Sequence, residues 1–179
     1  MVGAMKQSTD PTTLELCQAL AGSLQQRGWM MGTAESCTGG LIAGACTDLS
    51  GSSNWFERGF VTYSNQAKMD LLGVDAALLQ REGAVSEAVA RAMVEGVLRH
   101  APVQVAVAVT GVAGPTGGSP AKPVGTVWFG WNIDGAVHTQ VRHFGGDRSA
   151  VRLATVQHAL AQLLALTNAT PAQPAGHGD

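Results

Sequence analysis

An Asp-Gly pair at 134–135 sits between two stretches that read as strands, Val124 to Ile133 and Ala136 to Phe144. It constrains the fold more than any other feature. A two-residue Asp-Gly connection takes positive φ and closes an antiparallel hairpin. Just upstream, Val103 to Val109 is apolar except for Gln104, the pattern of a strand covered on both faces. A hairpin cannot lie in an all-parallel sheet, so a chain that also alternates strands with helices must build a mixed one. The expected fold is α/β, a three-layer α/β/α sandwich around a mixed sheet with a C-terminal β-hairpin.

The remaining elements follow from periodicity and caps. Asp10 as N-cap and Pro11 at the first helical position open a helix that carries Leu14, Cys17, Leu20, Ala21 and Leu24 on one side and closes at Arg27-Gly28. Trp29 to Thr33 reads as a strand, and Leu41 to Leu49 as a helix broken by Ser50-Gly51-Ser52-Ser53. Phe60 to Ser64 reads as a second strand, with Phe60, Thr62 and Ser64 on one side and Val61 and Tyr63 on the other. A short helix begins near Asn65, carries Lys68 and ends at Gly73. Asp75 caps another to Arg81, and Ser86 caps a longer one lined by Val89, Met93, Val94 and Val97. The segment from Gly111 to Pro123 is too rich in Gly and Pro to be anything but a loop, and Asp147 caps the last helix. A single domain over 10–166 is expected, followed by a polar, Pro/Gly-rich tail, 167–179, expected to be disordered.

Charge narrows the partners. The chain has net charge −2 and 13% charged residues, against about 25% in an average protein. The balance gives no electrostatic case for nucleic acid or an anionic membrane, and the sparse charge points to a homo-oligomer. Trp55-Phe56 fits either a self-association surface or the core. No apolar run approaches the roughly 18 residues that span a bilayer. With three cysteines in no C-x-x-C spacing, neither a disulfide framework nor a structural zinc is expected, and the compartment reads as reducing and cytoplasmic. The histidines have no i, i+4 pairing, so no metal site is supported. The P-loop Lys-Ser/Thr pair and the G-x-G-x-x-G fingerprint are both missing, and no cofactor is expected.

The stretch with chemical promise is Thr33 to Gly40, T-A-E-S-C-T-G-G. A strand that turns abruptly into a helix presents turn residues and backbone N–H groups at the sheet end. Ser36 is the candidate nucleophile there. The alternative is that Ser36 or Thr38 merely caps the helix. Cys37 competes as nucleophile and Ser64 is an understudy. Ser119-Pro-Ala-Lys122 spells S-x-x-K, but its prolines oppose the helical turn that would align the two side chains.

Six segments in one order carry a wider resemblance: A-E-S-C-T-G-G at 34–40, G-S-S-N-W-F-E-R-G-F-V-T-Y-S-N-Q-A-K at 51–68, G-A-V-S-E at 83–87, T-G-V-A-G-P-T-G-G at 110–118, K-P-V-G-T-V-W at 122–128 and G-D-R at 146–148. Together they resemble the CinA C-terminal domain family from about the first helix to the last. Full-length family members carry a further N-terminal domain, so the single-domain form is expected. The resemblance implies hydrolysis of the carboxamide of nicotinamide mononucleotide to nicotinate mononucleotide and ammonia, without a metal, in pyridine nucleotide recycling. Ser36 would be the nucleophile, Lys68 the base, and Tyr63 the hydroxyl that links or orients them. A serine attacks an amide poorly without a base, and a lysine serves only when neutral. Bringing its pKa from about 10.4 to roughly 7–8 takes about 3–5 kcal/mol, available from burial or a neighbouring cation such as the substrate's pyridinium. The oxyanion would rest on backbone N–H groups around Cys37, Thr38 and Gly39. Thr110, the glycine loop with Gly111, Gly114 and Gly117, and Arg148 are the candidates for holding the phosphate. The rival class is a non-catalytic nucleotide-binding or protein-interaction module of the competence/damage-inducible family.

Overall fold

The computed structural model describes residues 9–171. Its elements are α1 (Pro11–Arg27), β1 (Met31–Glu35), α2 (Leu41–Thr47), a short 3-10 turn (Ser52–Asn54), β2 (Phe56–Val61), α3 (Asn65–Leu72), α4 (Ala76–Glu82), α5 (Glu87–His100), β3 (Val105–Gly111), β4 (Thr126–Ile133), β5 (Ala136–His143) and α6 (Arg148–Ala169). The strands form one sheet in the order β2-β1-β3-β4-β5. β1 runs parallel to both β2 and β3, whereas β3-β4 and β4-β5 are antiparallel. Asp134 and Gly135 make the hairpin turn with φ of 49° and 92°. The mixed sheet and its terminal hairpin are as the sequence requires.

The two faces of the sheet differ in side-chain size. On one, Val105, Val107 and Val109 join Phe129, Trp131 and Ile133 of β4 in a core shared with Leu20 and Leu24 of α1, Ile42 of α2, and Leu160 and Leu163 of α6. On the other, Ala34, Ala106 and Ala108 meet Leu72, Leu79, Met93, Val94 and Val97 of α3, α4 and α5. Period-two alternation along β3 makes this division. The small residues let α5 lie close: a Cβ on Gly130, opposite Ala108 in the ladder, would stand 2.7 Å from the Ala90 carbonyl oxygen. Trp55 is 1% exposed and belongs to the valine-side core, which resolves the two readings of Trp55-Phe56 in favour of packing.

Several boundaries move. β1 starts at Met31 rather than Trp29 and continues to Glu35, because the buried Glu35 carboxylate finds donors inside the fold. β2 spans 56–61 rather than 60–64: it is an edge strand that tolerates Glu57 and Arg58, and Ser64 is withdrawn from it to cap α3. Thr62, Tyr63 and Ser64 therefore lie beyond the strand, and their expected alternation does not apply. α2 ends at Thr47, short of Leu49, and β3 is shifted two residues later than Val103–Val109. β4 and β5 are trimmed to Thr126 and His143 at their outer ends. α6 runs to Ala169, past the expected tail start at 167, and residues 172–179 of that tail lie outside the described residues. No helix among the described residues is long and apolar enough to cross a membrane.

Candidate active site

The site forms where β1 and β3 end side by side. Glu35 is the last residue of β1, and alternation places it on the face covered by α2. Its fully buried carboxylate accepts hydrogen bonds from Ile42 N at 2.8 Å, Ala43 N at 2.9 Å and the Thr38 hydroxyl at 2.6 Å. A charge in the sheet end thus satisfies the first free donors of α2 and ties down the intervening turn. Neither Ser36 nor Thr38 caps the helix, so that reading is corrected: the N-cap is Gly40, with Glu35 acting from seven residues before Ile42. Gly39 and Gly40 both adopt positive φ, 58° and 101°, which lets the chain reverse in so few residues.

Ser36 opens the turn. Its N–H donates to the Val109 carbonyl at 3.1 Å, fixing it against β3, and its own carbonyl accepts from Gly39 N. The N–H groups of Cys37 and Thr38 donate to no backbone carbonyl among the described residues. Sequence reasoning placed free donors at the helix start; the ones at Ile42 and Ala43 are consumed by Glu35, and the N–H groups without a backbone acceptor, those of Cys37, Thr38 and Gly40, lie in the turn itself.

Lys68 approaches from α3. Ser64 caps that helix by accepting from Ala67 N at 3.0 Å, which removes Ser64 as an alternative nucleophile and sets the angle at which α3 enters. The Lys68 side chain is 1% exposed. Its Nζ donates to the Thr62 carbonyl oxygen at 2.9 Å and lies 3.0 Å from Ser36 Oγ. Burial holds its pKa below the ordinary value of 10.5, favouring the neutral amine. With one N–H held by Thr62, the lone pair of that amine can face the serine hydroxyl. Cys37 lines the same cavity, but burial pushes its thiol up to about 11, so it carries no thiolate at neutral pH.

The cavity, of about 200 Å³, is lined by Ser36, Lys68, Tyr63, Thr110, Gly111 and Arg148, with Cys37, Asn65, Val85 and Ala113 also at its wall. Tyr63 is 60% exposed, and its hydroxyl accepts from Arg148 Nη2 at 2.9 Å rather than bonding to Ser36 or Lys68. Arg148 Nη1 donates to the Gly114 carbonyl at 2.9 Å, so the glycine loop, Tyr63 and Arg148 form one rim. The Thr110 hydroxyl donates to the Ala84 carbonyl. Thr38, Gly39 and Gly117 lie off the cavity wall, as does Gly114, whose contribution is its carbonyl. Ser119 and Lys122 make an exposed turn, and Lys122 Nζ donates to the Glu82 carbonyl, so S-x-x-K is no second site. Missed from sequence were Glu35, Asn65, Val85 and Arg152, whose guanidinium binds the carbonyls of Cys37 and Thr38. Only Glu35 left a signal, as the lone acid in a strand that feeds a helix. Among the described residues, no group of three or more His, Cys, Asp or Glu side chains is arranged to hold a metal.

Comparison with known proteins gives this geometry a context. The chain is 58% identical over 140 residues to the nicotinamide-nucleotide amidohydrolase PncC of Enterobacter agglomerans, covering 78% of this chain and 85% of that protein. It is 52% identical over 157 residues to the protein of the same name from Pseudomonas putida, covering 88% and 98%. The crystal structure of competence/damage inducible protein CihA from Agrobacterium tumefaciens superposes with a TM-score of 0.85 at 46% identity, covering 88% of this chain and 96% of that one. Residues 13–167 match the model of the CinA C-terminal domain. On that span and those identities, the chain belongs to the CinA C-terminal domain family.

Proposed function

We propose that this protein is a nicotinamide-nucleotide amidohydrolase that converts nicotinamide mononucleotide and water to nicotinate mononucleotide and ammonia through a Ser36-Lys68 dyad. The substrate comes from the names of its relatives. The mechanism rests above all on one observation: a buried amine of lowered pKa lies 3.0 Å from a serine hydroxyl at the wall of a cavity.

Ser36 Oγ attacks the carboxamide carbon as its proton passes to Lys68 Nζ. The oxyanion rests on the N–H of Cys37, the turn residue beside Ser36 at the cavity wall. Lys68 returns the proton to the amide nitrogen as the C–N bond breaks, releasing ammonia and leaving an ester on Ser36. Water then attacks the ester with Lys68 again as base, freeing nicotinate mononucleotide and the serine. Tyr63 assists from the rim, where its hydroxyl and Arg148 form one polar unit. Arg148 meets the phosphate, helped by backbone donors of the loop from Gly111. The pyridinium of the substrate disfavours a protonated lysine nearby and so supports the neutral base. A role in pyridine nucleotide recycling, a cytoplasmic location and a homo-oligomeric state belong to the same reading.

The test is ammonia release from nicotinamide mononucleotide by the purified protein and by Ser36→Ala. Turnover by the parent and its loss in the variant are expected. Undiminished turnover by Ser36→Ala overturns the nucleophile. Tight binding by the parent with no ammonia makes the protein a non-catalytic nucleotide-binding module.

A further inference from the structure

Asn65 stands at the cavity wall with Lys68 and Tyr63 and has so far been given no task. The other oxygen- and nitrogen-bearing side chains of that wall are engaged: Ser36 with Lys68, Tyr63 with Arg148, and Thr110 with the Ala84 carbonyl. The Asn65 carboxamide is the one without a hydrogen-bond partner among the described residues. Nor does α3 need it, since Ser64 already caps that helix.

Helix geometry gives its direction. Lys68 and Leu72 are the buried residues of α3, and Asn65, three residues before Lys68, heads the same stripe. Gln66, about 100° further round, faces away and donates to Asp70. Helical side chains lean toward the N-terminus, and Lys68 does so far enough for its Nζ to meet the Thr62 carbonyl ahead of the helix. The amine therefore lies level with the start of α3, where Asn65 is exposed on its solvent side. Outward from the dyad, the wall runs from Lys68 through Asn65 to Tyr63 and Arg148. Nicotinamide mononucleotide has a matching order: carboxamide and ring, ribose, phosphate. With the carboxamide at Ser36 and the phosphate at Arg148, the ribose comes abreast of Asn65. A ribose offers two adjacent hydroxyls, and a primary amide offers an acceptor beside a donor group.

We propose that Asn65 is a specificity-determining residue that binds the ribose, its Oδ1 accepting from one hydroxyl and its Nδ2 donating to the other. The site thereby selects a ribosyl over a deoxyribosyl nucleotide. This rests on the amidohydrolase reading. Water satisfies the exposed amide before the substrate arrives, so the exchange is worth a modest factor for each hydroxyl. The ribose takes no part in the bond change, so the contact is equal in ground and transition states and is read in KM.

The experiment compares the parent, Asn65→Ala and Asn65→Gln on nicotinamide mononucleotide and on its 2′-deoxyribosyl and 3′-deoxyribosyl analogues, with thermal unfolding recorded for each. The parent is expected to prefer the ribosyl substrate by about 3- to 10-fold in kcat/KM over either analogue. Asn65→Ala should raise KM for the ribosyl substrate by about 5- to 50-fold with kcat within about threefold, and should bring both preferences down to about one. Its Tm should move by no more than about 2 °C, as for a surface side chain without partners. Asn65→Gln, which keeps the amide on a longer arm, should recover part of the preference. Should Asn65→Ala fail to fold, Asn65→Gln must still show a preference weaker than the parent's. No preference in the parent, an undiminished one in Asn65→Ala, or a fall in kcat with KM held overturns the proposal while leaving the amidohydrolase reading standing. No ammonia from the parent overturns both.

Discussion

The two ends of the cavity are built on opposite principles. At the inner end, Ser36 is 8% exposed and Lys68 1%, and the groups around them are tied to the sheet ends by hydrogen bonds. At the outer end, Tyr63 is 60% exposed, and Arg148, also exposed, meets it near the loop that follows β3. Under the proposed mechanism the inner pair needs dryness, because desolvation keeps the amine neutral. The outer pair, proposed to meet the phosphate, can remain wet, since a guanidinium recognises an anion at the edge of water. If the two ends do as proposed, the contrast teaches that proton transfer and ligand capture place incompatible demands on solvent, and that a cavity a few side chains deep meets both by separating them.

The sharpest way to break this contrast is at the inner end. Lys68→Met is expected to lower kcat by about 10⁴-fold or more, as for loss of the base in other serine nucleophile systems. Its pH-stability curve carries independent information. Lys68 binds its proton less readily folded than unfolded, so between its lowered folded pKa and 10.5 the unfolded state holds more protons. Parent stability therefore rises with pH through that window, by up to about 1.4 kcal/mol per pH unit. Below the folded pKa the burial penalty is fully present, and above 10.5 it is gone. Chemical denaturation across that range should show this slope in the parent and not in Lys68→Met. Equal slopes would mean that Lys68 is no drier than an ordinary lysine.

The rate should record the same proton. With Lys68 acting as base, kcat/KM rises with pH, about tenfold per unit below its midpoint, and levels off above it. Burial moves that midpoint down from 10.5. A limb that vanished in Lys68→Met residual activity would assign it. One that persisted would assign the base elsewhere.

What was readable in the sequence follows the same division. Local rules supplied the mixed sheet through Asp134-Gly135, and the helix limits through Asp10, Gly28, Ser86 and Asp147, since turn and cap chemistry is settled within a few residues. Ser36 stood out by its place at a strand-to-helix turn and Lys68 through motif resemblance, and their 3.0 Å separation bridges 32 residues that no local pattern could fold. Glu35 escaped because a carboxylate in an apolar strand reads as the strand's end until its donors on α2 are seen. Arg152 escaped for a similar reason: it is 115 residues from the carbonyl it holds, and a helical arginine looks like any other solvated one. Tyr63 was expected to be a strand residue joined to the dyad, and its attachment to Arg148 arises from the early end of β2, set by an edge strand with few buried contacts.

At the outer end, effects should be smaller and salt-dependent. Arg148→Ala is expected to raise KM for nicotinamide mononucleotide by about 10- to 100-fold, the size of a charge-assisted contact, with a lesser change in kcat. Because the site is open, the parent's own KM should also climb between low and high salt as the phosphate contact is screened. Nicotinamide riboside, which lacks the phosphate, should respond little to either change. If Arg148→Ala instead lowers kcat alone, the outer rim takes part in the chemistry and the separation of the two ends fails.

Cys37 provides the mildest and most discriminating case, since it lies at the inner end beside Ser36 yet is assigned no proton to move. Burial raises its thiol to about 11, so the thiolate is scarce near neutral pH, where the proposed dyad would act. Its contribution should be a backbone N–H and a small packed side chain, both of which alanine keeps in large part. Cys37→Ala is therefore expected to hold kcat within about threefold, with a loss of about 1 kcal/mol for the vacated sulfur volume, or some 2–4 °C in Tm. Thiol alkylation of the native protein should be slow at this position for the same reason. A large loss of kcat in a well-folded Cys37→Ala would show that the inner end depends on the thiol itself. The dyad would then have to be redrawn as a serine and a cysteine sharing one base.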